Sequence, residues 1–174
     1  MPEATPEFKR QLQESFDAMD VGQTFTFRRT FTDGDVALFC GVTGDYNPYH
    51  QDESFAKASW YGRLTIPGLL TGSMLTHIGG MLGFLATEMS FEYVAPVFVG
   101  DTITCTVTVI EKDEAKRRIT ANACFLNQDG VEVLQASFGG FPDSCAWHAR
   151  GTAAGESVRG SPDGPAGLLS ARIP

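Results

Sequence analysis

Phe8, Leu12, Phe16 and Met19 recur at helical spacing, so the first 20 residues predict an amphipathic helix. Residues 25–32 (FTFRRTFT) alternate phenylalanine with polar residues, the signature of a strand with one buried face. A helix is expected over residues 33–43. Thr32 with Asp35 three positions on forms a capping box, and Gly44 supplies a left-handed stop. Val36, Phe39, Cys40 and Val42 would give it an apolar face. A short helix over about 52–59 precedes a long one over about 67–86, which opens on Pro67. Residues 89–99, 102–111, 118–127 and 131–141 then read as four strands, separated by Gly100-Asp101, Asp113-Glu114 and Gln128-Asp129-Gly130. Strands that follow helices in a run predict an α+β fold with an antiparallel sheet.

The long helix is unusual. Gly68, Gly72, Gly79, Gly80 and Gly83 sit in it, and each costs about 1 kcal/mol against alanine in a helix interior. Several share one face, which makes sense if something approaches the backbone closely there. The interleaved Leu69, Leu70, Met74, Leu75, Ile78, Met81 and Leu82 make the element apolar all round, so it is expected to be buried and wrapped by the strands.

Composition narrows the class. A chain of 174 residues, 43% apolar and 20% charged, holds one globular domain with a core. It has no apolar run of the roughly 20 residues that cross a bilayer, and no signal peptide is evident at its start. The four cysteines show no metal-binding spacing, so free thiols in a cytoplasmic protein are expected, with no metal site. A formal charge of −8 argues against nucleic acid or an anionic membrane as partner. Lys116-Arg117-Arg118 is the one cationic cluster, more often a solvated turn than a phosphate site. From Pro142 onward Gly, Pro, Ala and Ser make up more than half of the residues, so 142–174 read as a disordered tail. The expected organisation is thus an N-terminal helix (1–20), a single domain (21–141) and that tail.

The chain has no GxSxG, no P-loop, no GxGxxG after a strand and no HExxH. Of its three histidines, His148 lies in the tail and His77 on the buried helix. His50 remains, five residues after Asp45, in the stretch TGDYNPYH. Asp45 follows the expected helix stop. Pro48 fixes its own φ and holds Asn47 extended, so the link between the acid and the imidazole is rigid. General acid–base catalysis needs such a fixed separation. On spacing alone, a capped turn with a surface histidine is the more common outcome.

The run FTDGDVALFCGVTGDYNPYH from Phe31 to His50 resembles the hydratase motif of the MaoC-like dehydratases and (R)-specific enoyl-CoA hydratases. The resemblance continues through Asp52, Phe55-Ala56, Tyr61-Gly62-Arg63 and Ile66-Pro67-Gly68-Leu69-Leu70. It resumes at Pro96-Val97-Phe98-Val99-Gly100-Asp101. It implies a single hot-dog domain, an antiparallel sheet wrapped around one long central helix. It puts the catalytic residues at Asp45 and His50, acting together on one water, with Asn47 bracing the loop. The Gly68 backbone N–H would bind the thioester carbonyl. Thr76 falls where relatives carry a supporting serine, a departure that keeps the hydroxyl and adds a methyl.

The resemblance further implies a hydro-lyase that hydrates a trans-2-enoyl thioester reversibly to the (R)-3-hydroxyacyl thioester. Coenzyme A is the favoured carrier over acyl carrier protein, no cofactor is needed, and the molecule is expected to be a homodimer. A hot-dog thioesterase is the alternative, as is a non-catalytic acyl-binding or assembly subunit. Glu88 is the only acid near the central helix that could serve a thioesterase. Bulky residues that could line or support an acyl pocket are Phe39, Tyr46, Tyr49, Trp60, Tyr61 and Phe84.

Overall fold

The fold was obtained as a computed structural model, which describes residues 5–142. Of the tail expected to be disordered, residues 143–174 lie outside the described residues, Cys145 and His148 among them. Thr5 caps the first helix, α1 (Pro6–Glu14), its hydroxyl accepting the Phe8 N–H at 3.2 Å. The helix ends before Phe16 and Met19. Both are still buried, in the turns that follow, where they pack on Val109 and Ile119. The Lys112 ammonium and the Arg117 guanidinium lie 4.7 and 4.5 Å from the Phe16 ring centre.

Five antiparallel strands form one sheet in the order β1-β3-β4-β5-β2: β1 (Thr24–Thr30), β2 (Leu85–Tyr93), β3 (Thr102–Asp113), β4 (Arg118–Leu126) and β5 (Glu132–Phe141). The period-two pattern assigns its faces. Ile103, Cys105, Val107 and Val109 point inward with Ile119, Ala121, Ala123 and Phe125, while Thr104, Thr106 and Thr108 line the outer side. Three of the helices cover the inner face: α2 (Asp33–Thr43), α5 (Gly68–Gly72) and α6 (Met74–Leu82) place Val36, Cys40, Leu70, Met74, Leu75 and Ile78 against it. Burial of this apolar surface, at about 25 cal/mol per Å², is the main term that holds the layers together.

The helix expected over 67–86 is shorter and divided. Ser73 separates α5 from α6, and its hydroxyl donates to the Leu70 carbonyl at 2.6 Å. Gly83 then adopts φ +61° and closes α6 on the Gly79 carbonyl, so residues 85 and 86 already belong to β2. The helix is also not buried all round. The sheet covers one side, whereas Leu69 and Met81 are about 60% exposed and Thr76 and His77 face outward. His77 stacks on Phe27, with ring centres 3.8 Å apart. Val42, expected on the buried face of α2, projects into solvent because only the Val36–Cys40 side meets the core.

Three of the five glycines meet a close approach, Gly83 among them, with Leu12 Cδ2 2.5 Å from where a Cβ would stand. A Cβ on Gly68 would come 2.6 Å from Cε1 of Tyr93, and one on Gly72 would come 2.9 Å from Cε1 of Phe91. Four residues of helix rise about 6 Å and two residues of strand about 6.6 Å, so the aromatic side chains of β2 fall in register with the glycines of α5. The basic cluster has a different fate. Lys116 pairs with Asp113, Arg117 with Asp17 and Arg118 with Glu88, so its charges are met within the chain.

Candidate active site

The site begins at the end of α2. The Thr32 side chain accepts the Asp35 N–H while Asp35 accepts the Thr32 N–H at 2.8 Å, and Arg29 pairs with the same carboxylate. Burial pushes the Asp35 carboxyl up, but the hydrogen bonds from Thr32 and Arg29 outweigh it and hold it below the usual range. At the other end of α2 Gly44, at φ +75°, donates to the Cys40 carbonyl and turns the chain out of the helix. The Asp45 N–H then finds the Thr43 hydroxyl at 3.2 Å, and the Asn47 N–H finds Asp45 Oδ1 at 3.3 Å.

Asn47 caps α3 (Pro48–Gln51): its Oδ1 accepts the Tyr49 N–H and its carbonyl accepts the His50 N–H at 2.9 Å. Pro48 occupies the first helical position, where a missing N–H costs nothing. A second short helix, α4 (Glu53–Ala58), starts from an Asp52 cap. Acid and imidazole are therefore carried on one turn whose every free amide is satisfied locally.

Thr65 completes the histidine's surroundings. Its carbonyl lies 2.8 Å from His50 Nδ1, and its hydroxyl lies 3.2 Å from the same nitrogen. A backbone carbonyl only accepts, so Nδ1 carries a proton, and in the neutral ring Nε2 keeps its lone pair. Nε2 faces Asp45 Oδ2 at 3.8 Å. That gap is too long for a direct hydrogen bond and short enough for one oxygen atom to touch both groups. The imidazole is largely buried, and the carboxylate is 40% exposed.

Both groups open into a cavity of about 510 Å³, whose wall includes Tyr61, Gly68, Thr71, Tyr93, Val97 and Leu134. Gly68 is the first residue of α5, where an N–H has no intrahelical acceptor. Thr71, one turn further on, is 1% exposed, and its hydroxyl has no hydrogen-bond partner among the described residues. Behind Tyr61 stand Tyr49 and Phe55, packed edge to face at 5.5 and 5.0 Å.

The structure thus brings together Asp45, His50 and Gly68 and seats Asn47 beneath the first two. It does not bring Thr76 to them. Eight residues of helix place that side chain about 12 Å along the axis from Gly68, where it donates to the Ser73 carbonyl and lines a second, apolar cavity of about 390 Å³. Of the bulky residues considered for the pocket, only Tyr61 lines the Asp45–His50 cavity, while Phe84 lines the second one and Trp60 is 97% exposed. Thr65, Thr71 and Tyr93 went unmarked in the sequence. Thr65 carried a faint signal, a β-branched residue just before the extended Ile66-Pro67.

The sheet over a central helix is a hot-dog fold, and the curated hydratases and dehydratases to which the chain is similar make it a hydro-lyase. The model of the MaoC like domain matches residues 17–124, and the chain belongs to that family. It is 30% identical over 121 residues to the (R)-specific enoyl-CoA hydratase of Aeromonas caviae, covering 67% of this chain and 90% of that protein. It is 30% identical over 107 residues to a 3-hydroxybutyryl-CoA dehydratase of Methylorubrum extorquens, covering 59% of this chain and 68% of the relative. Among solved structures, the Aeromonas caviae (R)-hydratase superposes with a TM-score of 0.68 at 28% identity, over 71% of this chain and 97% of the other.

Proposed function

We propose that the protein hydrates a trans-2-enoyl thioester reversibly to the (R)-3-hydroxyacyl thioester, with coenzyme A as carrier and no further cofactor. The observation that carries this is the 3.8 Å separation of Asp45 Oδ2 from a His50 Nε2 whose lone pair is free. One water held between them loses a proton to Nε2 as its oxygen bonds to C3. The electron pair of the double bond moves onto the thioester oxygen, where the Gly68 N–H stabilises the enolate. Asp45 accepts a hydrogen bond from the water's other O–H and so aims its attacking lone pair, and that hydrogen stays on the 3-hydroxyl; His50 then returns its proton to C2 on the same face. The names of the relatives support the substrate class and the (R) configuration.

The thioesterase alternative needs an acid on the central helix facing the cavity. Glu88 is on β2 and pairs with Arg118, away from it. Loss of the conjugated enoyl absorbance of crotonyl-CoA without release of free thiol supports the hydratase. Thiol release supports the thioesterase, and neither change across short, long and branched acyl chains removes the enzyme reading. The functional unit is a homodimer. β2 is a sheet edge that presents Leu85, Met89 and Tyr93 about half exposed, and such an edge favours pairing with another copy. Sedimentation at the monomer mass would oppose this. Among the described residues no helix is long and apolar enough to cross a membrane.

A further inference from the structure

We propose that Tyr93 is a further catalytic residue, its phenol O–H donating to the thioester oxygen beside the Gly68 N–H. The inference rests on the hydratase reading above. Its basis is a comparison within the molecule. Phe91 and Tyr93 occupy alternate positions of β2 and lie over Gly72 and Gly68 in the same way, with their rings at 6.3 Å and an interplanar angle of 21°. Phe91 shows that a phenyl ring is enough for this packing. The Tyr93 hydroxyl is therefore surplus to the contact, and of the two residues only Tyr93 lines the cavity that holds Asp45 and His50.

Its placement follows from the ring. A Cβ on Gly68 would come 3.0 Å from Cζ of Tyr93, and the hydroxyl is one bond beyond Cζ. The ring thus lies against the Gly68 backbone, and both residues line the cavity that holds Asp45 and His50. Desolvation pushes the phenol up from its ordinary value, so the proton stays in place as a donor at neutral pH. When water adds to C3, charge collects on the thioester oxygen until C2 is protonated. A side-chain donor and a backbone donor converging there lower the energy of that enolate more than that of the neutral substrate.

The test is Tyr93→Phe, which keeps the ring on Gly68 and removes only the hydroxyl. Turnover of crotonyl-CoA should fall about 10²-fold in kcat with little change in KM, the loss expected for one oxyanion donor. The melting temperature should stay within experimental error of the parent. A second readout does not depend on turnover. Hexadienoyl-CoA bound to the parent should absorb further to the red than when free, because its carbonyl is polarised, and the variant should lose part of that shift. Unchanged kcat with an unchanged red shift overturns the proposal, and so does a rise in KM alone. If the parent hydrates no enoyl-CoA, the hydratase reading falls, and the red shift in parent and variant still decides whether Tyr93 is a donor. If the parent does not bind hexadienoyl-CoA at all, both fall.

Discussion

Thr71→Val should make the protein more stable. The Thr71 side chain is 1% exposed and its hydroxyl meets no partner among the described residues, so folding strips water from it with nothing in return. Mutational data put the cost of such a group at about 1–3 kcal/mol. Valine has nearly the same shape and branches at the same carbon, and the two residues have similar helix propensities, so α5 should not change. Replacement by a methyl removes the desolvation cost and adds apolar contact, for a net gain of about 1–2 kcal/mol. In a domain of this size each kcal/mol moves the melting temperature by about 3–5 °C. Urea unfolding followed by circular dichroism would measure it, with a higher midpoint and an unchanged m-value. An unchanged or lower midpoint would refute the reasoning. It would mean that the hydroxyl is satisfied in solution, for instance by the Pro67 carbonyl that already accepts the Thr71 N–H at 3.2 Å.

Asp45→Asn and His50→Gln should each remove most turnover of crotonyl-CoA and leave the unfolding midpoint nearly unchanged; substantial activity in either variant would sink the shared-water mechanism. Gly72→Ala gains about 1 kcal/mol of helix propensity but drives a Cβ to 2.9 Å from Phe91, and overpacking of about 1–3 kcal/mol should win. Its unfolding midpoint should therefore fall, and a rise would show that Phe91 moves aside freely. The Asp35 carboxyl is held below its ordinary value in the folded state, so its contribution to stability is complete above the usual carboxylate range and is lost as pH falls through the folded value. Arg29→Ala should flatten that acid limb of the stability profile in thermal melts across the acid range, and an identical limb would deny the pair its role.

What could be read from the chain was what is local. The capping box at Thr32 and Asp35, the Gly44 stop and the Asn47-Pro48 link each involve residues within a few positions of one another, and all form as the spacing implies. Alternation gave the sheet faces for the same reason. The helix end was misjudged because Gly79, Gly80 and Gly83 look alike in sequence, and only Gly83 takes a positive φ. Leu85 and Ala86 continue the apolar run, yet they pair with Phe141 and Gly140, more than 50 positions away. Tyr93, Thr71 and Thr65 escaped notice on similar grounds. Each acquires its meaning from a contact across the fold: a strand lying on a helix, a cavity wall, a loop carbonyl under an imidazole. No periodicity reports such contacts.

The tautomer of His50 shows how these two kinds of information combine. The local turn from Gly44 to Gln51 sets the distance between acid and imidazole but leaves either ring nitrogen able to carry the proton. Thr65 settles it through the chain's return: its N–H bonds the Tyr49 carbonyl at 3.0 Å, and its own carbonyl takes the Nδ1 proton. The same residue forms an isolated antiparallel bridge with Phe98, in the link between β2 and β3, and stands three positions before Gly68. In the proposed mechanism a single extended segment therefore fixes both the base that takes the proton and the amide that meets the developing charge. A shift of this segment would misplace both, because general base and oxyanion donor are tied to one strand of backbone. Acid–base chemistry on a shared water tolerates little error in that spacing. The apparently plain run from Thr65 to Gly68 is thus as much a part of the candidate site as Asp45 and His50.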